Sequence, residues 1–211
     1  MITRRGVLAA AALGLSAAVL PADAGAVAPV AEPRLAVLLT LSGERRLLRA
    51  LQAHGISVAS AHAEALLLQT DALLAYRGRR LLHIGSAADQ VLVGLALADH
   101  AVGARILHRA FHDEPVRGQG SVHGIASAPG WSCAAGLARD LGAAGQKCRL
   151  QGAALTTLNT AASTPPIHAA RWQAVTLAHL IARASPESGA AAHTPRWDHA
   201  PATFSSLIAD I

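Results

Sequence analysis

Short apolar runs alternate with amphipathic stretches between residues 34 and 160 of the sequence. The apolar runs of strand length are 34–41, 56–60, 80–84, 104–111, 121–127 and part of 146–158. Apolar residues at helical spacing lie between them, at 44–54, 61–76, 87–102 and 132–144. Strands that alternate with helices, and that lack an apolar–polar alternation of their own, are typical of a sheet buried on both faces. The pattern predicts a three-layer α/β fold, in which a mostly parallel sheet carries helices on both faces.

The pattern changes after this α/β domain, which is predicted to cover residues 34–160. Residues 161–211 are predicted to form a C-terminal helix, over 167–184, and a flexible tail. The tail is rich in Ala, Pro, Ser and His up to residue 201. Four apolar residues near its end fall at helical spacing and predict a last short helix: Phe204, Leu207, Ile208 and Ile211.

The first 24 residues have the three parts of a cleavable export signal. Arg4 and Arg5 precede the apolar run 6–20, and Ala24 ends a small-x-small cleavage site. The run is shorter than the roughly 20 residues that span a membrane. The leader resembles a twin-arginine signal, although the general secretory route stays open. We therefore expect contact with the export machinery and a periplasmic or secreted location. Residues 25–33 are predicted to be a linker, and the mature chain is predicted to have no membrane span.

Composition narrows the classes of function. The chain is 52% hydrophobic and carries a formal charge of +5. No basic run exceeds two residues and no aromatics interleave with the arginines, which argues against nucleic-acid binding. The sequence contains no glycine-rich nucleotide-binding loop, and no motif in it indicates a cofactor. Most of the eleven histidines sit singly among apolar residues, and we expect the majority at the surface or half buried.

The leading functional hypothesis is a small-ligand site at the carboxyl ends of the strands. Gly85, Ser86 and Gly130 lie at joints where a predicted strand leads into a helix. A helix N-terminus offers unpaired N–H groups and a partial positive charge. The ligand predicted at these joints is therefore small, and an anionic group would suit the helix N-termini.

A hydrolase or acyl-transfer enzyme is the alternative. The stretch 130–134 resembles a nucleophile elbow, G-x-S-x-G with Ala as its last residue, which makes Ser132 a candidate nucleophile. Cys133 is a second candidate, because a helix N-terminus stabilises a thiolate. His123, on the preceding predicted strand, is the candidate base. No Asp or Glu occurs between Leu141 and Pro186, where the acid of such an enzyme usually lies.

The two cysteines test the predicted fold. Export favours a disulfide between Cys133 and Cys148. A helix of about 12 residues between them would be roughly 18 Å long, whereas a disulfide needs Cα atoms within about 7 Å. The fold prediction therefore favours free thiols.

Two further hypotheses remain. Four residues around one loop are weak metal-ligand candidates, and a solvated loop is the favoured interpretation because no ligand spacing is recognisable: His112, Asp113, Glu114 and His123. A partner-binding accessory protein is the third functional hypothesis. Its contact surface would be the helix that carries Trp172 together with the tail 185–211.

Overall fold

The structure is a computed structural model. It describes residues 34–41, 45–53, 55–68, 70–100, 103–114, 120–131, 133–152, 156–162, 171–185 and 203–211. The predicted leader (1–24) and linker (25–33) lie outside the described residues, as do Ser132 and residues 186–202 of the predicted tail. Export therefore stays a prediction from the sequence.

The described residues form eight strands and six helices. The strands are β1 Arg34–Leu39, β2 Ser57–Ser60, β3 Arg79–Gly85, β4 Arg105–Asp113, β5 Val122–Ser127, β6 Gln146–Gln151, β7 Thr156–Ala162 and β8 Thr203–Asp210. The helices are α1 Arg45–Ala53, α2 Ala63–Leu68, α3 Thr70–Leu74, α4 Ala87–His100, α5 Ala134–Ala143 and α6 Arg171–Ala184. None of these described helices is long and apolar enough to cross a membrane.

All eight strands belong to one mixed sheet, in the order β2-β1-β3-β8-β4-β5-β7-β6. Among the described strands, β1 pairs in parallel with β2 and β3, and the other five pairings are antiparallel. The predicted mostly parallel three-layer fold is therefore wrong. Parallel neighbours need a crossover of about a dozen residues or more. The connections from β4 to β5 and from β6 to β7 are shorter than that, so these strands turn back on each other.

Strand β8 replaces the short helix predicted near residue 204. It lies between β3 and β4 and pairs antiparallel with both. Phe204 and Ile208 belong to the hydrophobic cluster on one face of the sheet, and Leu207 and Ala209 to the cluster on the other. A strand buried on both faces has no apolar–polar alternation, so its apolar residues can fall at helical spacing by chance.

Helices cover both faces of the sheet. Alternate residues of β1 enter different clusters: Val37 and Leu39 lie with α1, α5 and α6, whereas Ala36 and Leu38 lie with α2, α3 and α4. This follows from the two-residue period of a strand. On the first face α5 and α6 also contact each other, and the candidate site lies between them.

Candidate active site

Helix α5 begins immediately after Cys133, which occupies the N-cap position. The Cys133 side chain makes no capping hydrogen bond, and the Cys133 carbonyl accepts the first intrahelical bond from Leu137 N–H at 2.9 Å. The N–H groups in the first turn of a helix have no partner within that helix. The thiol therefore lies beside backbone donors and at the positive end of the helix dipole.

Cys133 is the first member of a continuous hydrogen-bond chain that runs from α5 to α6 and back. Its Sγ lies 3.3 Å from Nε2 of His179, on α6. Nδ1 of the same ring lies 2.6 Å from Oδ2 of Asp140, on α5. A thiol, an imidazole and a carboxylate in this order are the parts of a nucleophile, a base and a group that orients the base.

The local sequence of α5 explains why the three side chains meet. Cys133, Gly136 and Asp140 are spaced by three and four residues, so they share one face of the helix. A Cβ at Gly136 would lie 2.7 Å from Cε1 of His179. The histidine ring can therefore approach between the thiol and the carboxylate because residue 136 has no side chain.

Burial fixes where the protons lie. Cys133 is 1% exposed, and desolvation raises the pKa of its thiol to about 12, although the charge of Arg183 lowers this pKa and that of Asp140 raises it. The proton therefore stays on sulfur at neutral pH. A carboxylate only accepts hydrogen bonds, so His179 donates through Nδ1–H and its Nε2 accepts from the thiol. The hydrogen-bond chain leads from the buried sulfur toward the solvent, since the side chains of His179 and Asp140 are 10% and 46% exposed.

A half-buried aromatic ring lies beside this chain. Trp131 precedes Cys133 by two residues, and the guanidinium of Arg183 lies 4.9 Å from the centroid of its ring. Arg183 follows His179 by one helical turn on α6. The guanidinium of Arg80 lies 5.5 Å from the same centroid.

His123, the base predicted from the sequence, has other hydrogen-bonding partners. Its Nδ1 lies 2.8 Å from Nδ1 of His112, and its Nε2 lies 2.8 Å from Oγ of Ser121. Oγ of Ser206 lies 3.0 Å from Nε2 of His112 and 3.5 Å from Nε2 of His108. All five side chains are buried within the sheet and its facing core. The described hydrogen bonds thus pair Cys133 with His179 and place His123 in a separate polar chain.

The histidines of this buried chain are neutral. Burial lowers the pKa of His108 and of His123 to about 3, and it lowers the pKa of His112 well below the usual value. Each ring then has one donor and one acceptor nitrogen, so the hydrogen bonds from Ser121 through His123 and His112 to Ser206 all run in one direction. Nδ1 of His108, at the end of the chain, is buried and has no hydrogen-bond partner among the residues that the structure describes.

Both cysteines are free thiols in the structure. Cys133 contacts His179, as described above, and Sγ of Cys148 donates to the carbonyl oxygen of Gln146 at 3.6 Å. Ser132, the other candidate nucleophile, lies outside the described residues.

The four candidate metal ligands do not converge. His112 and His123 point to the face that carries α5 and α6, whereas Asp113 is the next residue along β4 and accepts a 2.6 Å hydrogen bond from Thr203 on the opposite face. Glu114 follows the end of the strand. Within the described ranges, no group of three or more His, Cys, Asp or Glu side chains is arranged to hold a metal ion.

The predicted ligand joints have local structural roles. Ser86 Oγ accepts a hydrogen bond from Asp89 N–H, and Asp89 Oδ2 accepts one from Ser86 N–H, which is a capping box at the start of α4. An anionic ligand beside Gly85 and Ser86 would meet the Asp89 carboxylate. Gly130 has a φ of +80° and lies in the turn before Trp131.

Two residues of the predicted partner-binding surface, Trp172 and Phe204, pack inside the molecule, whereas residues 186–202 of that surface lie outside the described ranges. Trp172 is 1% exposed, and its ring stacks on that of Phe204 at a centroid distance of 5.8 Å. Phe204 belongs to β8, at the centre of the sheet.

The sequence predicts Cys133 as a candidate nucleophile, but it does not predict His179 and Asp140, the other two members of the hydrogen-bond chain. The acid of such an enzyme is expected after Leu141, whereas Asp140 is the residue before it. The available signal was the spacing of seven residues between Cys133 and Asp140 on one predicted helix, with a glycine between them on the same face. Comparisons with protein-family models, with curated proteins and with solved structures find no match to this chain. The site is therefore defined by its geometry.

Proposed function

We propose that the protein is a thiol-dependent acyl-transfer enzyme. Cys133 is the nucleophile, His179 is the general base, and Asp140 holds the imidazole in the required tautomer. The observation that carries this proposal is the unbroken chain of two hydrogen bonds, of 3.3 Å and 2.6 Å, from sulfur to carboxylate.

The reaction starts from a neutral thiol, because burial keeps the proton on sulfur. When Cys133 attacks a carbonyl carbon, the S–C bond forms and the thiol proton moves to His179 Nε2. The bond to the leaving group then breaks, and the leaving group takes that proton. Water or another nucleophile attacks the resulting thioester, gives its proton to His179, and restores the thiol as the acyl group departs.

Helix α5 supplies a place for the negative charge that develops on the carbonyl oxygen. The backbone N–H groups of Ala134 and Ala135 lie in its first turn, next to the nucleophile. Donors fixed in this way stabilise an oxyanion without reorganising during the reaction. The same arrangement serves hydrolysis and transfer to another acceptor, so the proposal extends to acyl transfer as a class.

Acylation by p-nitrophenyl acetate tests the proposal. We expect Cys133 to gain an acetyl group, located by peptide mass spectrometry, with release of p-nitrophenolate. His179→Gln should lower the acylation rate about 100-fold or more, since it removes the general base. Asp140→Asn should also lower it, because an amide N–H in place of the carboxylate favours the wrong histidine tautomer.

Two exposed residues supply matched controls. His62→Gln and Asp99→Asn change the same residue types away from the site, and both variants should acylate at the rate of the parent protein. The proposal is overturned if Cys148 is acetylated while Cys133 is not, or if His179→Gln reacts as fast as the parent.

A further inference from the structure

Trp131 has an arginine guanidinium near its ring from each of two elements. Arg80 comes from β3 and Arg183 from the last turn of α6. The two arginines differ in how their charge is balanced. Arg80 Nε donates to Asp210 at 2.7 Å, and its Nη1 donates to the carbonyl oxygen of Ala184 at 3.5 Å.

Arg183 has no such counter-charge among the residues that the structure describes. The ion pairs there are Arg80–Asp210, Arg105–Asp210 and His179–Asp140. The Arg183 side chain is exposed, and the central carbon of its guanidinium lies over the Trp131 ring, 4.9 Å from the ring centroid. A guanidinium carries its N–H donors along its edge, and this edge matches a carboxylate in two parallel hydrogen bonds.

The positions of Trp131 and Arg183 in the chain tie them to the proposed nucleophile and base. Trp131 is two residues before Cys133, and Arg183 is one helical turn after His179. The Arg183 charge is also close enough to lower the pKa of the Cys133 thiol against the larger effect of desolvation. Residues four apart share one face of a helix, so Arg183 lies about 6 Å along α6 from His179, whose ring contacts the sulfur.

We propose that Arg183, held on the face of Trp131, binds a carboxylate of the substrate while Cys133 attacks that substrate's electrophilic carbon. The substrate class is then an acyl compound that carries a carboxylate close to its reactive carbon. This inference rests on the proposed function, because it assigns a substrate class to the same thiol.

Two alkylating reagents of similar size but different charge test it. Iodoacetate carries a carboxylate next to the carbon that sulfur attacks, and iodoacetamide is neutral. In both reactions the S–C bond forms, the C–I bond breaks, iodide leaves, and the thiol proton passes to His179 and then to solvent. The measured quantity is the ratio of the two rates at each thiol, read by peptide mass spectrometry on the native full-length protein.

We expect the ratio of iodoacetate to iodoacetamide rates at Cys133 to exceed that at Cys148. Arg183→Gln should lower the Cys133 ratio about 10-fold, the effect of losing a hydrogen bond to a charged group. Arg183→Lys should keep part of the preference, because it keeps the charge and loses the two-donor edge. High ionic strength should lower the iodoacetate-to-iodoacetamide ratio at Cys133, because salt screens the exposed charge of Arg183.

Arg49→Gln is the matched control, since Arg49 is an exposed arginine on α1 and neighbours neither cysteine in the chain. It should change neither ratio, and Arg183→Gln should leave the Cys148 ratio unchanged. If Arg183 serves only to stabilise the end of α6, Arg183→Gln will alter both reagents equally, and the carboxylate site is refuted. If the ratio is insensitive to Arg183 while the iodoacetamide rate at Cys133 still depends on His179, the carboxylate site fails and the proposed function stands. If neither reagent modifies Cys133 while both modify Cys148, the proposed function itself fails.

Discussion

At the scale of single residues, the approach of His179 to its partners depends on the absence of one side chain. Gly136 lies between Cys133 and Asp140 on the same face of α5, and a Cβ there would lie 2.7 Å from the histidine ring. The atom in its way belongs to a side chain, so the ring would move and the helix would stay. This movement of the ring would disrupt the Cys133–His179 hydrogen bond.

Gly136→Ala should therefore slow acylation of Cys133 while the fold persists. We expect a decrease of about 10- to 100-fold, the usual cost of misplacing a catalytic group by about 1 Å. The measurement is the p-nitrophenyl acetate rate, with thermal unfolding recorded on the same sample.

Gly142→Ala is the control for this change, because it lies in the same helix and an added Cβ there meets nothing within 4 Å. It should leave the acylation rate unchanged and stabilise the protein by about 0.5–1 kcal/mol through helix propensity. Equal rates in the Gly136→Ala variant and the parent would show that the ring position does not matter for reactivity.

The candidate site was partly predictable at this scale. Cys133 could be found from its place before a helix, because capping and helix periodicity are local properties of the sequence. His179 could not be found in this way, since it lies 46 residues further along the chain and reaches the thiol only through the packing of α6 on α5. His123 is much closer in sequence, and its side chain is instead committed to a buried chain with His112 and Ser121.

At the scale of elements, β8 is the part of the sheet that local sequence patterns do not predict. The strands β1 and β3 and the helix α4 follow from local periodicity and glycine positions. The insertion of β8 between β3 and β4 is set by pairings across 90 residues or more (for example, Ser205 with Phe111), and no local pattern encodes them. The antiparallel pairing of β4 with β5 was within reach, because their connection is too short for a helical crossover.

The central place of β8 predicts strong protection of its backbone. The amide protons of Phe204 to Ala209 should be among the slowest to exchange with deuterium, because they are released only when the sheet opens. Amides of β2, which is a terminal strand of the sheet, should exchange faster. Native-state hydrogen exchange measured by NMR or mass spectrometry checks this. Exchange of Phe204 to Ala209 as fast as that of β2 would contradict the central placement.

At the scale of the whole molecule, buried histidines link stability to pH. Burial lowers the pKa of His83 to about 4 and the pKa values of His108 and His123 to about 3, whereas an unfolded histidine has a pKa near 6.5. The unfolded chain therefore binds more protons than the folded one between these values. The stability that these groups provide is present above about pH 6.5 and is lost as the pH falls toward 4.

We expect the free energy of unfolding to decrease by about 5.5 kcal/mol per pH unit in the middle of this range, which is about 1.4 kcal/mol for each of the four buried histidines with lowered pKa values, His83, His108, His112 and His123. Urea unfolding at a series of pH values between 7.5 and 4.5 measures it. His83→Gln should remove about a quarter of the slope, and substitution of the exposed His62 by Gln should leave it unchanged. A free energy of unfolding that does not vary with pH would show that these rings are not buried as neutral groups.

The position of β8 also has a consequence for the synthesis of the protein. The strands on either side of it are translated about a hundred residues earlier, and each has a vacant edge until residues 203–210 leave the ribosome. During that interval β3 and β4 cannot be joined, so the nascent chain exposes two incomplete half-sheets. The sheet can close only after almost all of its residues have been translated, which makes folding a late event and gives chaperones that shield strand edges a defined time in which to act.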